Sequence, residues 1–360
     1  MSSTGSRALQ VGLVGYGLGG SAFHAPLVAA TRGLQLAAVV TRDAERRREV
    51  ERRYPGARVL PDVDTIWAMA PALDLVVVSS PNATHVPYAR AALEAGLHVV
   101  VDKPFAATAA EAREVGALAD RMKRLAIPFQ NRRWDGDFLT VRRLLHERSL
   151  GTVYRFESRF ERLRATAKPG WTVPGAAERG EGIVYDIGAH LVDQALVLFG
   201  PAIEAYAELD RRHPDVVVED EAFVSLVHGS GVRSHLYMSA VAAQSGARMS
   251  VWGSRVAYVK HGLDGQEAAL RAGGIPGSEG WGLEPRELWG WLGARDERRH
   301  EPTEAGAYHA FYAGVERAIR TGDAPPVRVG EAVAALEVLE AIFRSARERR
   351  AVAIPRTARI

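Results

Sequence analysis

Three features of this 360-residue sequence could support chemistry by residue type and spacing. Lys103 stands in Asp102-Lys103-Pro104-Phe105, directly after the apolar run 97–101. An ammonium group at the end of a buried strand can hold a hydroxyl and stabilise negative charge developing on its oxygen. Its plainer reading is a surface charge. Asp186 and His190 stand four residues apart in Tyr185-Asp186-Ile187-Gly188-Ala189-His190. If a helix begins near Asp186, the two share one face. The carboxylate would then favour the imidazolium and bring the histidine pKa toward working pH, which makes an acid–base pair. The plainer alternative is a helix N-cap beside a satisfied core histidine. The third feature is a cradle. Gly15, Gly17 and Gly20 fall at the spacing G-x-G-x-x-G, with Leu18 inside the loop, after a short apolar stretch at 11–14. In a dinucleotide site the first glycine makes the tight turn and the second lets the backbone approach a pyrophosphate. The third lets helix and strand pack closely. The following helix N-terminus offers N–H groups and a positive dipole end to phosphates.

These residues need a scaffold to bring them together. Residues 36–40 read as a second strand. In NAD-binding sites an acidic side chain at this strand end takes the ribose 2′-OH. Here Thr41 and Arg42 stand there, with Asp43 one step later. A hydroxyl and a guanidinium suit a 2′-phosphate, which favours NADP over NAD. In the alternative, Arg42 is a solvated charge and Asp43 takes the ribose. A helix is expected at 44–53, stopped by Tyr54-Pro55-Gly56. Residues 73–79 form a continuous apolar run, as in a strand buried on both faces. Ser80, Pro81 and Asn82 follow at the edge where open α/β sheets bind ligands. A helix at 84–95 and a buried strand at 97–101 continue the alternation, which implies a doubly wound parallel sheet.

Residues 129–134 close that unit, and 137–147 read as an amphipathic helix. From Gly151 the period becomes two. Strands are expected at 202–209, 222–228, 232–239, 249–252 and 256–259, with Gly229-Ser230-Gly231 as a hairpin turn. Strands in succession imply an α+β domain built on a largely antiparallel sheet. Residues 261–302, rich in glycine, charge and tryptophan (Trp281, Trp289, Trp291), read as an excursion outside the core. Helices at 305–320 and 331–347 complete the chain. The division is 1–133 for the dinucleotide domain and 134–360 for the substrate-binding and oligomerisation domain.

Composition narrows the alternatives. A chain of this length exceeds one hydrophobic core. The hydrophobic fraction of 47% is that of a soluble globular protein, with no apolar run expected to span a bilayer. Residues 1–8 are small and polar, so a frayed start and a cytoplasmic address are expected, with no membrane partner. Zero cysteines excludes disulfides, thiolate metal sites and a cysteine nucleophile. The net charge of +3 could hint at nucleic acid. However, Arg46, Arg47, Arg48, Arg52 and Arg53 interleave with acids as on a solvated helix, and no stacking pattern accompanies them, so no nucleic-acid partner is expected. His24, His85, His98, His228 and His235 look like background, and no metal site is expected.

In their order along the chain, several segments resemble the Gfo/Idh/MocA oxidoreductase family, in particular its branch of NADP-dependent scyllo-inositol dehydrogenases. They are VGYGLGGSAFHAPL from Val14, SSPNATH from Ser79, DKPF from Asp102, FQNRRWDGDFLT from Phe129, YDIGAHLVDQ from Tyr185 and GLDGQEAALRAG from Gly262. The family usually writes Glu-Lys-Pro where this chain has Asp102-Lys103-Pro104. The resemblance implies a Rossmann domain and a second domain with an open sheet whose outer face makes a homodimer or homotetramer. It implies that Lys103 orients the substrate hydroxyl, that His190 with Asp186 is the acid–base pair, and that Asn131 and Arg132 face the substrate. It further implies reversible hydride transfer between NADP, or NAD, and a secondary alcohol or ketone carbon of a sugar or cyclitol. In that mechanism Asp186 orients His190. A glycosidase using tightly held NAD and a non-catalytic NADP(H) sensor are the alternatives.

Overall fold

The computed structural model describes residues 7–355. The reading of residues 1–8 as a frayed start falls largely on residues 1–6, outside the described residues.

The first half is a six-stranded parallel sheet. Its strands are β1 (Leu9–Val14), β2 (Leu34–Val40), β3 (Arg58–Leu60), β4 (Leu75–Val78), β5 (His98–Val101) and β6 (Ala126–Pro128), in the order β3-β2-β1-β4-β5-β6. Every residue of β4 is fully buried. Each such valine or leucine contributes about 1.5–3 kcal/mol of apolar burial, which is why these runs settle in the middle of the sheet. The strands alternate with α1 (Ala25–Ala30), α2 (Ala44–Arg53), α3 (Val63–Ala68), α4 (His85–Glu94) and α5 (Ala109–Met122). Local chemistry sets the helix starts. Asp43 caps α2 by accepting the N–H groups of Glu45 and Arg46, and Thr108 with Glu111 forms a capping box on α5. The strand order reverses between β1 and β4, so the C-terminal ends of β1, β4 and β5 open a crevice at that point.

After α6 (Gly136–His146) the chain forms a nine-stranded sheet. It comprises β7 (Val153–Glu161), β8 (Ala202–Asp210), β9 (Glu221–His228), β10 (Arg233–Ser239), β11 (Met249–Gly253), β12 (Ala257–Lys260), β13 (Gly290–Ala294), β14 (Glu297–Glu301) and β15 (Val352–Ala353). The order is β14-β13-β12-β11-β7-β10-β9-β8-β15, antiparallel except for the pairing of β7 with β10. The inner face packs on α7 (Ala189–Phe199) and α10 (Val329–Glu348). α9 (His309–Thr321) returns to the first half, where Phe311, Tyr312 and Val315 join the core beside β1 and β2.

Two expectations are corrected. Residues 261–302 are not an excursion. They hold α8 (Gln266–Arg271), with Gln266 and Leu270 buried, and two strands that extend the large sheet. The expectation that no apolar run could span a bilayer also fails. By length and composition alone Ala177–Phe199 could cross a membrane, but most of its apolar part is buried inside the fold.

Candidate active site

A cleft of about 440 Å³ lies between the C-terminal edge of the parallel sheet and the inner face of the large one. It gathers Leu18, Asn82, Lys103, Asn131, Arg132, Asp186 and His190 from the sequence-derived set. Gly15, Gly17, Gly20, Thr41, Arg42, Ser80 and Pro81 are not part of its lining and follow the C-terminal ends of β1, β2 and β4 on the same sheet edge.

The glycine loop fits a dinucleotide. Gly15 has φ +97°, and a Cβ there would stand 2.4 Å from the Ser79 carbonyl oxygen. A Cβ at Gly20 would stand 2.1 Å from the Gly15 oxygen, so strand and helix close only on glycine. Nothing lies within 4 Å of the Cβ position at Gly17, which leaves open space where a pyrophosphate would approach. At the end of β2, Thr41 is buried and Arg42 is exposed. Asp43 spends one carboxylate oxygen on capping α2, so its alternative role on a ribose competes with the helix start.

β5 delivers Asp102 and Lys103 into the cleft, and the Lys103-Pro104 peptide is cis. Asp102 accepts the Lys103 backbone N–H at 2.8 Å and the Ser79 hydroxyl at 3.0 Å, and its Oδ2 is 3.3 Å from His24 Nε2. His24 Nδ1 is 2.7 Å from the Tyr312 hydroxyl. Burial opposes ionisation of Asp102, but His24 and Lys103 beside it hold its carboxyl well below the usual range. His85 bridges the Ser80 and Pro104 carbonyls and so joins the ends of β4 and β5. His24 and His85, set aside as background, are thus part of the frame that positions Lys103.

The Asp186–His190 pair differs from expectation. A π-turn covers Val184–Gly188 and α7 starts at Ala189, so Asp186 neither caps α7 nor hydrogen-bonds His190. Its carboxylate instead accepts Lys103 Nζ at 2.8 Å on Oδ1 and Lys168 Nζ at 2.8 Å on Oδ2. Lys103 also donates to the Asp186 carbonyl. Burial penalises the charged carboxylate, but the two ammonium groups override it and hold Asp186 far below the ordinary carboxylate range. The expected upward push of Asp186 on His190 is present but outweighed. Burial, then Lys103 and Arg132, drive its pKa well below the ordinary histidine value, so the imidazole is neutral. Its Nδ1 is buried with no hydrogen-bond partner, which leaves an unsatisfied polar atom in the cleft.

Asn131 and Arg132 occupy a single 3₁₀ turn at Asn131–Trp134. Arg132 donates to Glu267 of α8 at 2.9 Å and lies over the Phe160 ring. Beneath it Gln194 donates to the Arg132 carbonyl, and Gln266 donates to the Trp134 carbonyl and accepts from Trp281. Sequence reasoning missed Lys168, Glu267, Arg162 and Arg164, which also line the cleft.

Two family models match the chain. One, described as oxidoreductase family, NAD-binding Rossmann fold, covers residues 9–129. The other, the C-terminal alpha/beta domain of the same family, covers 142–354. The chain is 39% identical to the oxidoreductase YdgJ of Escherichia coli over 96% of its length and 98% of that protein. It is 33% identical to scyllo-inositol 2-dehydrogenase (NADP(+)) IolW of Bacillus subtilis, over 96% of this chain and 95% of that one. Among solved structures, an oxidoreductase from Yersinia pestis superposes with a TM-score of 0.89 at 37% identity, covering 99% of this chain and all of that one.

Proposed function

The chain belongs to the Gfo/Idh/MocA oxidoreductase family, and from that premise we propose that it interconverts a secondary alcohol and a ketone on a sugar or cyclitol, with NADP as the preferred cofactor. The observation that carries this reading is the convergence of Lys103, Asp186 and His190 in one cleft, on the edge of the sheet that bears the glycine loop. The relatives that bear a substrate name point the same way, one to an inositol and another to a D-glucoside.

In this proposal the dinucleotide domain, residues 1–133, holds the cofactor through Gly15, Gly17, Leu18 and Gly20. Ser80, Pro81 and Asn82 border it from β4, Lys103 from β5, and Thr41 and Arg42 receive the 2′-phosphate. When bound, the nicotinamide supplies the hydride acceptor for oxidation and the donor for reduction. The remaining work falls to side chains of residues 103–190. Neutral His190 accepts the hydroxyl proton during oxidation and returns it during reduction. Lys103 holds the same oxygen and stabilises its alkoxide character, with no reorganisation because Asp186 and Asp102 fix it beforehand. Asp186 therefore acts by positioning Lys103, with its remaining acceptor capacity for a neighbouring hydroxyl. Asn131 and Arg132 close the substrate side. Adjacent hydroxyls on a polyol give the several hydrogen bonds that select one carbon. A homodimer or homotetramer would form on the outer face of the large sheet, where Arg155 stacks on Trp252 and Arg159 on Tyr237.

The test joins turnover to cofactor titration. Wild-type protein is expected to reduce NADP⁺ with at least one member of a panel of inositols and aldoses. Arg42→Ala is expected to weaken NADPH about 10- to 100-fold, the equivalent of one charge-assisted contact, and to leave NADH unchanged. NADH binding as tight as NADPH in wild type would move the cofactor assignment to NAD. Binding of neither would overturn the oxidoreductase reading.

A further inference from the structure

The face of β7 that packs on the core carries Phe156, Ser158 and Phe160 at alternate positions. The chain stays extended beyond the strand. Leu163 bridges Val241, and the N–H groups of Arg162 and Arg164 donate to the Ser239 and Ala240 carbonyls. Period two therefore turns Arg162 and Arg164 to the face of Phe160 and sends Leu163, 64% exposed, to solvent. Guanidinium groups stand where two more apolar residues would have extended the core, and both line the cleft.

Six cationic side chains and four carboxylates line that cleft. The carboxylates are already engaged. Lys103 and Lys168 hold Asp186, and Arg132 and Arg271 hold Glu267. Ser79 and the Lys103 N–H hold Asp102, and Asn82 donates to Glu181. Arg162 comes only within 3.6 Å of Asp186. Arg164 Nε is buried with no hydrogen-bond partner. A buried N–H left unpaired costs free energy unless a ligand completes it, and two adjacent guanidinium groups call for negative charge.

We propose that the substrate carries an anionic group, a carboxylate or a phosphate monoester, which Arg164 binds with help from Arg162. The proposal rests on the reading of this cleft as the sugar or cyclitol site and narrows its substrate class to acidic or phosphorylated polyols. A planar guanidinium fork pairs with either anion through two parallel hydrogen bonds.

The experiment is calorimetry on the NADPH-saturated protein at low salt. The probes are D-glucose, D-glucuronate and D-glucose 6-phosphate, together with myo-inositol and its 1-phosphate. At least one charged member is expected to bind about tenfold or more tightly than its neutral counterpart, the scale of one charge-assisted hydrogen bond. Arg164→Gln is expected to remove that advantage while leaving the neutral sugars and NADPH unchanged. Arg162→Gln is expected to reduce it in part and serves if Arg164→Gln fails to fold. The glucuronate and phosphate arms tell carboxylate from phosphate. Equal binding of charged and neutral members overturns the proposal. So does a loss of NADPH affinity in Arg164→Gln, which would assign the arginines to the cofactor. Turnover is followed separately. Tight binding of a charged member without oxidation of any probe counts against the dehydrogenase reading and leaves the anion site standing. Oxidation with no charge preference does the reverse.

Discussion

His190→Asn is expected to lower kcat for alcohol oxidation by about 10²- to 10⁴-fold, the range for loss of a positioned general base. NADPH affinity should not change, because the phosphate cradle lies on a different part of the sheet edge. Asparagine keeps a polar side chain of similar reach but cannot accept and release a proton near neutral pH, so the loss reports proton transfer more than packing. The pH dependence carries a sign. Burial, Lys103 and Arg132 all disfavour the imidazolium, so the base stays neutral and competent below the ordinary value of 6.5. The acid limb of the oxidation rate should therefore lie on the acid side of 6.5. Lys103→Met removes the larger cationic contribution, which raises the His190 pKa and moves that limb toward neutrality. The same variant should lose about 10²- to 10³-fold in kcat through loss of charge stabilisation at the oxygen. Steady-state rates across pH for wild type and both variants measure all three effects. Near-normal kcat in His190→Asn would mean that another group takes the proton. An acid limb that stays put in Lys103→Met would mean that His190 does not set it.

The parts of this architecture that were legible in the sequence rest on local physics. The valine-rich runs at β4 and β5 are buried on both faces and can be little else. The glycine spacing reports a steric requirement that the structure reproduces at Gly15 and Gly20. Lys103, Asp186 and His190 were legible as candidate residues, and the structure brings them into one cleft, but their arrangement was not legible. An i, i+4 pairing requires a regular helix at Asp186, and a π-turn there breaks the register. The carboxylate then finds Lys103, 83 residues away, and Lys168, partners that no spacing rule reaches. His24 looked isolated because its partner Tyr312 lies 288 residues later. β13 and β14 were missed for a related reason. One is glycine-rich, and the other, Glu-Arg-Arg-His-Glu, is a charged edge strand, the composition by which sheets end without inviting further pairing. The alternation Phe156, Ser158, Phe160 runs on to Arg162 and Arg164, and charge at core-facing positions marks the place where a sheet stops being core and becomes a site.

Arg133→Met is expected to destabilise the protein by about 3–5 kcal/mol, the cost of leaving one charge of a buried pair without its partner. Arg133 occupies the short turn that joins the two halves, and its side chain is 9% exposed. Nε and one terminal nitrogen donate to the two oxygens of Asp193 on α7 at 2.8 and 2.6 Å, and the other donates to Glu331 of α10 at 2.7 Å. The fork thus ties both helices to the turn that presents Asn131 and Arg132. Burial already pushes the Asp193 pKa up, and Arg133 opposes that push. Without the guanidinium, the folded-state pKa of Asp193 rises further above its unfolded value. The deficit is then small at acid pH, where the carboxyl is neutral in both states, and grows as pH rises through the folded-state pKa. Urea unfolding at several pH values should show the variant's loss widening toward neutrality, and Arg133→Met combined with Asp193→Leu should recover most of it, because a buried apolar pair carries no stranded charge. A loss that is independent of pH and not rescued by the second substitution would assign the role of Arg133 to packing alone. The activity of the rescued double variant then separates two roles of the pair. If the fold returns but kcat does not, the Arg133–Asp193 fork also sets the position of the turn that closes the substrate side of the cleft.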